Sequence, residues 1–195
     1  MIAFVRGKFA VKSPSRIIVD VQGVGYELQI SLHTYSAISS LEDGLIYTYL
    51  HITENSHVLY GFHHPDEKDM FLHLISVSGV GASTARIMLS GMEPKEIANA
   101  IVSGNTRQLE SIKGIGKKSA ERLIVELKDK LGKQFSGSIQ PVSGVSSSLE
   151  ADAVQALVAL GIGRVMAEQA VKKTLQAHQG VLALEDLIKQ ALQSL

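Results

Sequence analysis

Along the first sixty residues, apolar and polar positions alternate in short bursts. Ile2–Val5, Arg16–Val21, Tyr26–Ile30, Leu45–Ile52 and Val58–Phe62 are rich in β-branched and aromatic residues and read as strands. Gly23-Val24-Gly25 and Asp43-Gly44 supply turn chemistry between them. The polar stretch Thr53-Glu54-Asn55-Ser56-His57 reads as a five-residue hairpin tip with Glu54 at its exposed point. With a short helix near Thr34–Ser40, these strands fit a small Greek-key barrel of the OB type.

After His63-His64-Pro65-Asp66 the apolar period becomes helical. Pro65 suits the first position of a helix. The paired histidines read as a solvated linker, because neighbours in a loop rarely point at one ion. Met70, Leu72, Leu74 and Ile75 open the helical region. Glu93–Val102, Thr106–Ser111 and Lys117–Leu131 follow, the last with Leu123, Ile124 and Leu127 on one face. Residues 134–149 are rich in serine and carry no charge, which predicts a flexible linker spanning roughly 20 Å. Beyond it, Glu150–Leu160, Arg164–Ala177 and Leu184–Leu195 form three short amphipathic helices, separated by Gly161-Ile162-Gly163 and Gln179-Gly180. The expected class is α+β with several domains: a five-stranded barrel at 1–63, a helical domain at 64–133, a linker at 134–149 and a three-helix domain at 150–195.

Within the helical domain the chain repeats itself. Leu74–Leu89 runs LISVSGVGASTARIML, and Leu109–Ile124 runs LESIKGIGKKSAERLI. Leu74 pairs with Leu109, Val77 with Ile112, Gly79 with Gly114, Val80 with Ile115, Gly81 with Gly116, Thr84 with Ser119, Ala85 with Ala120 and Met88 with Leu123. Each copy reads as a helix end, a tight Gly-x-Gly turn and the start of a second helix. Glycine permits positive φ and leaves the backbone bare. Val80 and Ile115 should point inward and pin the turn. The turn then presents unpaired amide N–H groups at a helix start, where the dipole also favours an anion. Lys117 and Lys118 sit just inside the second start, a position that disfavours cations unless a phosphate is bound there. A P-loop is excluded by spacing, since no glycine stands five residues before Gly116.

Composition narrows the classes. Apolar content of 45% and charged content of 19% are ordinary for a globular chain. There is no cysteine, hence no disulfide, thiolate chemistry or cysteine-bound zinc. No apolar run has the length of a membrane span, and the N-terminus lacks a leader's apolar core, so a cytoplasmic protein is expected. Net charge is zero, an unusual balance for a nucleic-acid binder. The positive charge is local: residues 107–133 hold 8 basic against 4 acidic side chains. No nucleophile–base pair or close carboxylate pair stands out, so no catalytic residue, metal or cofactor is assigned. Two other classes share such features, a glycosylase- or nuclease-type enzyme and a purely structural adaptor.

The repeat resembles the helix-hairpin-helix motif, which grips sugar-phosphate backbone without reading sequence. The whole chain resembles the RuvA family of Holliday junction recognition subunits. The residues carrying this are Val21–Glu27, Leu59–Phe62, Ser78–Gly81, Leu89–Met92, the run GIGKKSAERLIVELKDK at 114–130 and Ala156–Gly161. The resemblance implies a homotetramer, or two face to face, that holds a four-way junction open. Phosphates would be held at Gly79, Val80 and Gly81 with Ser83 and Thr84, and at Gly114, Ile115 and Gly116 with Lys117, Lys118, Ser119 and Arg122. Glu54 and Asn55 would form an acidic pin at the crossover. Leu157, Leu160 and Ile162 would contact RuvB, the hexameric ATPase motor; the RuvC resolvase would join a larger complex, and no membrane is involved. Two departures stand out. The pin has one acid where the family has two, and Ala82-Ser83-Thr84 replaces the first hairpin's usual lysine, with Arg86 a substitute. Fewer cations predict a weaker salt dependence than relatives show.

Overall fold

A computed structural model describes residues 1–136, 149–177 and 183–194. The chain divides into two compact units, Met1–Ile139 and Gln140–Leu195. The first unit opens with β1 (Phe4–Ser13), β2 (Arg16–Val21), β3 (Val24–Ile30), α1 (Leu32–Ile38), β4 (Asp43–Thr53) and β5 (Ser56–Phe62). These strands close a barrel in the order β1-β2-β3-β5-β4, with β3 and β5 the parallel pair. Ile17, Val19, Leu28, Ile30, Ile46 and Leu59 fill its interior, and Ile38 of α1 packs against them.

The first strand is longer than its apolar run at Ile2–Val5, because β1 serves two neighbours. Phe4–Lys8 pairs with β4 and Lys8–Ser13 with β2, with a register shift between Phe9 and Val11. Gly7 makes this possible, since a Cβ there would lie 2.0 Å from the Asp20 carbonyl oxygen. The β2–β3 turn is Gln22-Gly23, with φ of 53° and 90°, while Val24 and Gly25 belong to β3. Positive φ at both central positions gives the twist that suits a two-residue hairpin. Asp43-Gly44 is no turn but the start of β4, where Gly44 faces the Phe9 ring. The tip between β4 and β5 is Glu54-Asn55 alone; Thr53 pairs with Ser56 and Ile52 with His57. Helix α1 starts two residues early because the Ser31 hydroxyl accepts from the Thr34 amide and caps it.

The remaining helices of this unit are α2 (Pro65–Ile75), α3 (Ala82–Gly91), α4 (Pro94–Val102), α5 (Thr106–Glu110) and α6 (Lys117–Ser136). Pro65 occupies the start of α2, and Glu93 and Glu96 form a capping box at α4. Phe71, Leu74, Met88, Leu89, Ile97, Ile101, Leu109, Leu123 and Leu127 make one core, which Tyr60 and Phe62 of β5 join. The Phe71 ring lies 5.0 Å from Tyr60 and 4.9 Å from Phe62. Helix α6 runs to Ser136, into the expected linker. The rest of that linker and the Gln179-Gly180 break lie outside the described residues. The second unit holds α7 (Leu149–Ala159), α8 (Arg164–Ala177) and α9 (Leu184–Gln193) around a core in which alanine predominates.

Candidate nucleic-acid interface

The two sequence repeats are two hairpins of matching geometry. Gly79 has φ of 88° and Gly114 of 95°, which closes each turn. The Val80 amide donates to the Val77 carbonyl at 3.0 Å, and the Ile115 amide to the Ile112 carbonyl at 3.1 Å. Val80 and Ile115 are both buried and pin the turns inward. Ala85 and Ala120 are fully buried, as close helix packing requires.

Gly81 and Gly116 play a different part. Neither has positive φ, and a Cβ on either would meet no protein atom within 4 Å. Their missing side chains leave the backbone open on the outer side. Gly81 caps α3 without a side-chain hydrogen bond, and the first turns of α3 and α6 contain no acid. An uncapped amide row beside a positive helix end binds an oxyanion readily. Ser83 is exposed at this row and Thr84 half-buried; in the second hairpin Lys117 and Lys118 are exposed and Ser119 half-buried. Neither lysine takes part in an ion pair among the described residues.

Arg122 joins the hairpins. Its Nη1 donates to the Ser78 carbonyl at 3.0 Å, so the start of α6 braces the first turn. Lys118, Arg122, Glu121 and Glu126, with Ser78 and Gly79, line a groove of about 520 Å³ along this seam, so its charge is mixed. Arg86 stands elsewhere. Its Nη1 donates to the Ser15 carbonyl at 3.0 Å and to Gln29 Oε1 at 2.7 Å, both on the barrel. The structure therefore makes Arg86 a barrel contact, where the sequence offered it as a phosphate ligand.

Glu54 and Asn55 are exposed at the hairpin tip, beside an Ile52 side chain that is 62% exposed. In the second unit the expected contact residues separate. Leu157 is fully buried in the core and unavailable to a partner, a correction to its predicted role. Leu160 is 64% exposed, and Val158, Val165 and Met166 are exposed with it. Ile162 is half-buried against the core. The family resemblance assigns Leu157 and Leu160 alike to the partner, and their shared apolar stripe does not say which flank of a helix is covered.

Sequence reasoning missed one polar cluster entirely. Glu67 is fully buried, accepting hydrogen bonds from the Ser31 and Thr34 hydroxyls, the latter at 2.6 Å. Thr34 Oγ1 also accepts from the His63 amide at 3.0 Å. Burial pushes the Glu67 carboxyl above the usual glutamate value, against the lowering pull of those hydroxyls and of His33 and His64. His63 is no solvated linker residue. Its Nδ1 is buried without a partner, and burial, then His64 and His33, lowers its pKa. The available signal was spacing, since Glu67 shares a helical face with Met70, Phe71 and Leu74. Among the described residues no group of three or more His, Asp or Glu side chains could hold a metal ion.

Three family models match the chain. They are the RuvA N terminal domain at residues 1–61, a SAM-like helix-hairpin-helix tandem at 71–129 and the RuvA C-terminal domain at 148–195. A Flavobacterium psychrophilum protein called Holliday junction branch migration complex subunit RuvA is 46% identical, with both chains covered completely. Proteins of the same name from Cytophaga hutchinsonii and Amoebophilus asiaticus are each 45% identical, over 98% of this chain and 98% and 99% of theirs. Barrel, tandem hairpins and terminal helices thus coincide, in order and along the full length, with proteins of one kind, and the chain belongs to the RuvA family.

Proposed function

We propose that this protein binds four-way DNA junctions by structure rather than sequence, as a non-catalytic subunit of a branch-migration complex. The observation that carries this is the pair of hairpins with open amide rows, fixed in one compact unit with the barrel. In this reading Gly79–Gly81 with Ser83 and Thr84 holds phosphate through amides and hydroxyls. Gly114–Gly116 with Lys117, Lys118 and Ser119 adds charge. Arg122, paired with Glu126 at 3.8 Å, braces the seam. Four copies around a symmetry axis would place the barrels at the crossover and the hairpins on the arms, with Glu54 and Asn55 at the centre. Repeating a weakly charged grip over several arms compensates for a chain of zero net charge. The second unit, through Leu160 and its exposed apolar neighbours, would recruit the RuvB ATPase, which supplies the motor; RuvC would join at the junction. The working compartment is the cytoplasm. Among the described residues no helix is long and apolar enough to cross a membrane.

The test is a gel shift at fixed, stated salt, comparing a synthetic four-way junction with linear duplex of the same arm sequence. Junction binding tighter by orders of magnitude is expected. Equal affinity for both would reduce the protein to a generic duplex binder and overturn the proposal.

A further inference from the structure

Helix α3 has two working ends. Its start presents the open amides of the first hairpin, and its far half carries Arg86 and Ser90, four residues apart and so on one face. That face meets the barrel. Arg86 Nη1 bridges the Ser15 carbonyl, in the β1–β2 turn, and the Gln29 side chain on β3. Ser90 Oγ accepts from the Leu32 amide at 3.1 Å while donating to the Arg86 carbonyl at 2.8 Å. These bonds join segments 57 to 71 residues apart in the chain.

The barrel and hairpins have another connection, where β5 runs into α2 and Tyr60 and Phe62 pack on Phe71. These contacts, and the Ser31 and Thr34 hydroxyls on Glu67, all lie at α2 beside the chain crossing and leave freedom to swing about it. An attachment on another helix, α3, restrains that swing. Ser90 contributes one neutral bond to it, and Arg86 contributes charge-assisted bonds, which are stronger and more directional.

We propose that Arg86 is a positioning residue for junction selectivity, clamping the first hairpin at a fixed angle to the barrel. This rests on the junction-binding reading above. One duplex arm can be gripped at any hairpin angle, so duplex affinity does not need the clamp. Several arms leaving one crossover must be gripped together, and a grip that swings lowers the effective concentration at which each further arm is met. Fixing the angle beforehand removes that penalty. The clamp's polar groups are exposed or partly buried, so removing them opens no core cavity.

The test uses the full chain, whose lack of cysteine allows site-specific spin labels. Lys8→Cys on the barrel and Lys128→Cys on α6 are exposed positions. Labelled chains are diluted into unlabelled ones, and the label-to-label distance distribution is measured alongside junction and duplex affinities. Arg86→Ala is expected to widen the distribution and weaken junction binding by about tenfold, the scale of one charge-assisted bond, with duplex affinity unchanged. Gln29→Ala, which keeps the arginine's charge, is expected to act in the same direction. An unchanged distribution overturns the clamp, whatever the DNA results. So does an equal weakening on both DNAs in Arg86→Ala with a parent-like Gln29→Ala, which would assign Arg86 to phosphate. A parent chain that shows no junction preference overturns the proposed function instead, while the label distances still judge the clamp.

Discussion

Glu67 illustrates what a single residue decides. A carboxyl whose folded pKa lies above its unfolded value binds protons more tightly in the native state. Its stabilising contribution is therefore complete below the unfolded value and is lost as pH rises through the folded one. Glu67→Gln should remove that descending limb, leaving unfolding free energy flatter with rising pH. Urea titrations across the acid-to-neutral range check this; an unaltered slope would place the proton elsewhere. His63 works in the opposite direction. Its lowered pKa means the native state resists protonation, so stability falls as pH drops below the ordinary histidine value. That limb should persist in the Glu67→Gln chain. The lysines are a matter of charge alone. Lys117→Ala with Lys118→Ala should make the plot of log affinity against log salt shallower, by about 0.9 for each phosphate no longer neutralised. An unchanged slope in fluorescence anisotropy would mean the lysines do not touch DNA.

At the scale of elements, the hairpin glycines separate folding from binding. Gly114 holds φ of 95°, so Gly114→Ala should cost about 1–2 kcal/mol of stability through backbone strain. Gly116 has no such φ and no neighbour to clash with, and Gly116→Ala should cost only about 1 kcal/mol or less as a helix cap. The added methyl group would nevertheless stand over the amide row. Weakened DNA binding with nearly intact stability is expected for Gly116→Ala, measured by denaturation and gel shift on the same preparation. Parent-like binding would show that DNA does not approach there. These hairpins were readable in the sequence because Gly-x-Gly, the buried residue between and the small residue after are all local requirements. The barrel was readable for the same reason. Its turns were less so, since Gln22 gives no sign of positive φ and Gly44 resembles a turn glycine until the Phe9 ring is found against it.

At the scale of the molecule, the second unit has a core of small residues around Leu157 and Leu187. Leu157→Ala should cost about 2–5 kcal/mol, a large share of what so small a core supplies. Leu160→Asp, on an exposed position, should leave the unit folded and abolish coupling to the motor partner. Circular dichroism with a partner-stimulated ATPase assay distinguishes the two. Motor coupling that survives Leu160→Asp would move the docking surface elsewhere. The family resemblance alone assigns both leucines to the partner, while their apolar stripe fits a core; the stripe does not reveal which side a neighbouring helix covers.

The sequence by itself determined the elements and their order: strand and helix follow from short-range periodicity, and tight turns from glycine spacing. Only the tertiary structure decided what Glu67, Arg86 and Leu157 do. Ser31 and Thr34 reach Glu67 across 36 and 33 residues, and Ser15 and Gln29 reach Arg86 across 71 and 57. A side chain's charge and length are written in the chain, but its partner is whatever the fold brings within about 3 Å.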